Sequence, residues 1–207
     1  MITARSLVVA TQNQGKLHEL GQLLGDLPFK LYSLTDFPNI IQIPETGSSF
    51  IENASLKAVG YATQTGCLTL ADDSGLEVDA LDGAPGILSA RYAGESASDA
   101  ERIEKLLLEL SGNAAMKRSA RFVSAIAIAD GGGRILAVSL GECKGDIDFA
   151  PRGSEGFGYD PIFIPSGYDK TFAELKEEIK NEISHRARAL AGAREFLRTL
   201  TIASGGD

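Results

Sequence analysis

Four residues in the second half of the chain, Asp130-Gly-Gly-Gly133, restrict the fold more than any other stretch. They separate two strand-like apolar runs, residues 120–129 and 135–140, and glycine supplies the positive φ that a tight hairpin turn needs. An antiparallel pair is therefore expected late in a chain that opens differently. Residues 6–11 form a short apolar run, residues 12–15 are polar, and Leu17, Leu20, Leu24 and Leu27 then recur at helical spacing, which reads as strand, loop and helix. A second strand is expected over residues 29–34. Ser49 and Glu52 have the spacing of a capping box and predict a helix to about residue 65. Ser98 and Glu101 repeat that spacing ahead of Ile103, Leu106, Leu107 and Leu110. Residues 67–71 and 76–81 read as two strands, and residues 83–94 as a turn-rich connection. Beyond the hairpin, a loop over 145–158 leads to a short strand at 161–164 and a helix from 171 to about 200, with a disordered tail from about 201. Helices interleaved with strands and a late hairpin imply an α/β fold on a mixed sheet.

Composition narrows the function classes. With 28 acidic against 20 basic residues the net charge is −8, so a broad basic surface for duplex nucleic acid is excluded and any polyanion must meet a local cationic site. Cys67 and Cys143 are too few for a disulfide framework; both lie in strand-like stretches and read as buried free thiols in a reducing compartment. The N-terminal apolar run is shorter than a signal-peptide core, and no stretch approaches the ~18 apolar residues of a membrane span. A cytoplasmic protein without membrane contacts is expected.

Four segments carry groups capable of chemistry. Thr11, Gln12, Asn13, Gln14, Gly15 and Lys16 lie between a strand and a helix, where backbone N–H groups and the helix dipole favour an anion such as phosphate. The same residues also fit an ordinary strand-to-helix turn with Lys16 solvated. Asp72 and Asp73 follow a buried strand and precede Ser74-Gly75. Neighbouring carboxylates repel unless a cation relieves them, and a hard ion such as Mg²⁺ takes such ligands; an acidic turn capped on its own backbone is the other reading. Glu45 is a loop carboxylate that, taken alone, reads as solvated. Residues 153–160 set Phe157 and Tyr159 among glycines, suited either to stacking on a flat heterocycle or to packing on the protein's own core. Lys180, His185 and Arg186 form either a local cationic patch able to read keto groups or, with Glu177, Glu178 and Glu182, a salt-bridged surface helix. His18 has no evident role.

In their order along the chain these segments resemble the family of noncanonical purine nucleoside triphosphate pyrophosphatases, which includes the inosine triphosphatases. The resemblance rests on TQNQGK at 11–16, ETG at 45–47, SFIENASLKA at 49–58, ADDSGLEVDAL at 71–81, GAPGILSARYAGE at 83–95, GFGYDPIF at 156–163, FAEL at 172–175 and ISHRARAL at 183–190. It implies a single domain over 1–207, two-lobed around a long mixed β-sheet with flanking helices and a central active-site cleft, usually a homodimer. It implies Mg²⁺-dependent cleavage of ITP, dITP and XTP between the α and β phosphates. By the same resemblance, residues 11–16 hold the phosphates, and Asp73 is metal ligand and proposed base. Glu45 assists at the metal, supported by Asp72. Ser74, Phe157, Gly158, Tyr159, Asp160, Lys180, His185 and Arg186 contact substrate, and Arg91 is a substrate-side cation. One departure is Gln12, where the family often has glycine; a positive φ there would cost roughly 1 kcal/mol.

Base choice on this reading is a difference of hydrogen bonds. Inosine and xanthine present a 6-keto acceptor where adenine presents an amino donor, so donors from His185 and Arg186 accept the former. Guanine also carries a 6-keto group, so its rejection must occur at the 2-amino group. Two alternatives stand beside this reading: a Maf-type nucleotide pyrophosphatase of different base preference, against which the ISHR and GFGYD segments count, and a nonenzymatic nucleotide-binding module, against which Lys16, Glu45, Asp72 and Asp73 count.

Overall fold

The runs that flank the acidic pair, residues 7–9 and 125–129, are apolar and buried, which places that pair at the centre of a sheet rather than on its rim. A computed structural model describes residues 5–111 and 117–202. The strands are β1 (Arg5–Val9), β2 (Phe29–Ser33), β3 (Leu68–Val78), β4 (Ser119–Ala129), β5 (Ile135–Ile147) and β6 (Phe163–Pro165). The helices are α1 (Gln14–Leu24), α2 (Phe50–Thr65), α3 (Asp99–Ser111), α4 (Glu177–Ile183) and α5 (His185–Ile202). The strands form one six-stranded sheet in the order β2-β1-β3-β4-β5-β6. β1 pairs parallel with β2 and β3, while β6 pairs antiparallel with β5, so the sheet is mixed and the α/β expectation holds.

The chain divides into two compact units: unit 1 is Met1–Asp73, Ser124–Gly141 and Ala187–Asp207, and unit 2 is Ser74–Val123 and Glu142–Arg186. Unit 1 has its own core, in which Leu20 and Leu24 of α1 pack with Leu7, Val9, Leu70, Ile126 and Leu190. The core of unit 2 joins Ile103, Leu106 and Leu110 of α3, spaced to share one helix face, with Phe122, Phe163 and Phe172.

Local signals in the sequence set several boundaries. Ser49 N-caps α2, its side chain accepting from the Glu52 N–H at 3.2 Å. Glu52 turns its carboxylate to the N–H and hydroxyl of Ser48 rather than back to Ser49, a variation on the expected box. Ser98 and Glu101 complete theirs reciprocally. The hairpin turns at Asp130–Gly133, closed by the Gly133 N–H on the Asp130 carbonyl with Gly133 at φ 83°.

Four expectations are corrected. The two strands expected over 67–71 and 76–81 are one continuous strand, β3, ending at Val78 before a 3-10 turn at Asp79–Leu81. The long C-terminal helix is two helices, because Ser184 is extended (φ −68°, ψ 158°) and residues 171–176 are not α-helical. The strand expected at 161–164 begins only at Phe163, after a 3-10 turn. Cys67 is half-exposed just before β3, whereas Cys143 is buried; both are free thiols. Residues 201 and 202 are helical, and the rest of the tail expected from about residue 201 lies outside the described residues.

Candidate active site

Successive side chains of a strand leave on opposite faces, so a strand carrying two neighbouring carboxylates needs a partner for each. β3 has both. Lys16, in the first turn of α1, sets its Nζ 2.7 Å from Asp72 Oδ2, and the Ser124 hydroxyl from β4 donates to Asp72 Oδ1 at 2.6 Å. Lys57, from α2, donates to Asp73 Oδ1 at 2.8 Å and to Glu45 Oε1 at 2.6 Å. Asp72 and Asp73 therefore stand within a buried strand, not in an acidic turn after one. The alternative of a carboxylate capping its own backbone falls because these partners come from α1, α2 and β4.

The loop before α1 is closed from within. Asn13 donates its N–H to Thr11 Oγ1 at 3.2 Å, and its side chain accepts from the Lys16 N–H at 3.0 Å, capping the helix. Gln12 and Gln14 are exposed, while Gly15 is half-buried. Among the described residues only Asn39 and Asp82 combine a side chain with positive φ, so the strain considered for Gln12 does not arise.

Asp72 faces Lys16, and Asp73 and Glu45 share Lys57. Burial pulls Lys57 down, but the charges and hydrogen bonds of Asp73 and Glu45 outweigh it and hold the ammonium above its ordinary value. At Asp73 burial wins: it lifts the carboxyl above the usual range against the pull of Lys57 and Lys16, with Glu45 adding to the rise. No group of three or more His, Cys, Asp and Glu side chains among the described residues is placed to hold a metal alone. The two carboxylates brought together by Lys57 do suit Mg²⁺, which binds through one or two carboxylates and takes its other ligands from water and phosphate.

Unit 2 gathers buried basic side chains. Lys180, His185 and Arg186 are all buried, Arg186 being the largest fully buried side chain among the described residues. Being buried, they do not lie on a salt-bridged surface helix; each contacts groups distant in sequence. Lys180 Nζ lies 2.5 Å from Asp160 Oδ2 and 5.0 Å from the Phe157 ring centroid. Arg186 donates to the Ser74 hydroxyl at 2.9 Å, and its guanidinium carbon is 5.6 Å from the same ring. His185 stacks on Phe122 with centroids 4.7 Å apart.

The glycine-rich loop is shaped by Asp160, which also accepts the Phe157 N–H at 2.8 Å. Gly156, at φ 76°, has no room for a side chain, since a Cβ would lie 2.2 Å from Asp160 Oδ2. The Gly158 N–H donates to Asp99 of α3 at 2.7 Å. Phe157 is half-buried, but Tyr159 belongs to the core, its hydroxyl donating to the Ser89 carbonyl. Arg91 is half-buried at the end of the 3-10 turn Gly86–Arg91.

Three residues at these clusters escaped the sequence reading: Lys57, Ser124 and Phe122. Lys57 was detectable, because it falls on the buried stripe of α2 with Ala54, Ala58 and Tyr61, where a charge must find a buried partner. Ser124 and Phe122 carry no local signal.

The model of the Ham1 family matches residues 7–196. This chain belongs to the Ham1 family. It is 51% identical over 191 residues to a protein named dITP/XTP pyrophosphatase from Geobacter sulfurreducens, covering 92% of this chain and 96% of the relative. A protein of the same name from Desulforamulus reducens is 49% identical, covering 95% and 97%. Among solved structures, a HAM1 protein from Coxiella burnetii superposes with a TM-score of 0.83 at 45% identity, covering 95% of this chain and 98% of that one. The resemblance stated from the motifs and the α/β fold are thus borne out. The Ham1 relatives match along almost their whole length, so the clusters of both units lie within the shared part.

Proposed function

We propose that this Ham1-family protein hydrolyses dITP, ITP and XTP between the α and β phosphates, releasing the nucleoside monophosphate and pyrophosphate. The observation that carries the reading is the Lys57 ammonium bridging the Glu45 and Asp73 carboxylates, 2.6 and 2.8 Å away. The names of the relatives support the substrate class. Asp73 and Glu45 are the residues that would hold Mg²⁺, which when bound would neutralise phosphate charge and make water a better nucleophile. Asp73, lifted by burial, is suited to take the proton of the attacking water. Lys57 keeps Glu45 and Asp73 in place against their mutual repulsion. Lys16, oriented by Asp72, balances the charge on departing pyrophosphate.

In unit 2, Phe157 offers a face for the base, and His185 and Arg186 offer donors for a 6-keto oxygen. Adenine, with a 6-amino donor, leaves them facing donors of its own. The reading places the protein in the cytoplasm as a homodimer that removes deaminated purines from the nucleotide pool. Among the described residues no helix is long and apolar enough to cross a membrane. The test is turnover of dITP, XTP, dGTP and dATP with Mg²⁺ and with chelator. Magnesium-dependent cleavage of dITP and XTP far ahead of dGTP and dATP is expected; equal rates on all four would refute the assignment.

A further inference from the structure

We infer that Asn53 is a positioning residue that acts on the reaction through Glu45; the inference rests on the function proposed above. Glu45 stands in a loop, and a loop side chain keeps its place only if its backbone is held. Asn53, buried without exposure on α2, does this: its Oδ1 accepts the Gly47 N–H at 2.8 Å. Ser48 is fixed beside it, its N–H and hydroxyl donating to Glu52 at 2.7 and 2.9 Å. The fit leaves no slack, since a Cβ on Gly47 would lie 2.6 Å from Glu52 Cβ and 2.8 Å from Asn53 Oδ1.

Lys57 lies one helical turn beyond Asn53, on the same buried face of α2, and grips the Glu45 carboxylate itself. One helix face thus holds Glu45 twice, by its side chain through Lys57 and by the backbone two residues on through Asn53. The Asn53 amide has no hydrogen-bond partner for Nδ2 among the described residues. A buried donor left over is a cost to folding, so the contribution of this amide lies in the loop it holds.

The test is a double-mutant cycle. Asn53→Ala is expected to lower kcat for dITP by about 10- to 100-fold, as loss of a group supporting a metal ligand does, with KM nearly unchanged. In an E45A background the same substitution is expected to add nothing, because the residue it positions is gone. Amide exchange at Gly47 reads the contact without turnover: N53A is expected to speed it, and Asn53→Asp, which keeps the acceptor, to restore protection. Should N53A fail to fold, Gly47→Ala approaches from the loop side and is expected to show the same loss of kcat, again absent in E45A. Losses that multiply in the double mutant, or wild-type kcat in both single variants, would overturn the inference. A wild-type protein inert toward dITP would overturn the proposed reaction instead, and unchanged Gly47 exchange in N53A would then overturn the positioning role.

Discussion

The two polar clusters set acidic and basic side chains in different surroundings. In unit 1, three carboxylates share two ammonium groups, each delivered by a helix to a central strand. In unit 2, Lys180 pairs with Asp160, Arg186 donates to the Ser74 hydroxyl, and Phe122, Phe157 and Phe172 lie against the basic side chains. Carboxylates gathered on an ammonium suit unit 1 to a cation and to proton transfer from water. Donor side chains among aromatic rings suit unit 2 to a flat ligand rich in acceptors. Losses in unit 1 should therefore appear as rate, and losses in unit 2 as stability and base preference.

The largest effect is expected from Asp73→Asn, which keeps the shape and removes the proton acceptor: kcat for dITP should fall by about 10²- to 10⁴-fold with the fold retained. A variant within a factor of about ten of wild type would remove Asp73 from the chemistry, since a positioned base is worth more than that. Next is Lys180→Ala, which takes the lysine partner from the Asp160 carboxylate, only 4% exposed. Removing one partner of such a buried pair should cost about 3–5 kcal/mol in urea unfolding; a loss below about 1 kcal/mol would show a pair as weak as a surface one.

Phe122→Leu sharpens the comparison further, keeping an apolar filler while removing the ring against which His185 lies. The dITP-to-dATP preference should fall by about 2- to 10-fold, the worth of a stacked aromatic pair, with less change in kcat for dITP. An unchanged preference would leave His185 without a part in reading the base.

The smallest effect is expected at a pair of exposed caps, one in each unit. Hydrogen bonds from the backbone and side chain of Ser48 hold the Glu52 carboxyl below its ordinary value, and those of Ser98 do the same for Glu101. A carboxyl lowered in the folded state stabilises above its unfolded pKa, and that stability is lost as pH falls through the folded value. Glu52→Gln and Glu101→Gln should each melt below wild type at pH 7, and the difference should close on acidification through the carboxylate range. A gap that persisted in acid would assign the effect to something other than the charge.

Features whose cause is local were legible in the sequence, and those whose cause is distant were not. The caps at Ser49 and Ser98 and the turn at Asp130–Gly133 are set by neighbours within a few residues, and they stand where the sequence places them. Asp72-Asp73-Ser74-Gly75 has turn composition, yet it runs straight through β3, because Lys16, Lys57 and Ser124 satisfy its carboxylates from elsewhere in the chain. Local propensity gave way to tertiary partners again at Ser184. There the chain leaves the helix between Lys180, bound to Asp160, and His185, stacked on Phe122. For Tyr159 the sequence left stacking on a ligand and packing on the core both open, because nothing near it in sequence announces the Ser89 carbonyl that takes its hydroxyl. Lys57 is the instructive case: its place on the buried stripe of α2 was visible, but which carboxylates it joins was not.

The most direct measurement follows the phosphorus during turnover of dITP with Mg²⁺, using ³¹P NMR to distinguish the products. The account predicts dIMP and intact pyrophosphate in equal amounts, with neither formed by Asp73→Asn at a comparable rate. Appearance of dIDP and inorganic phosphate would place the cut at the outer bond and contradict the assigned chemistry.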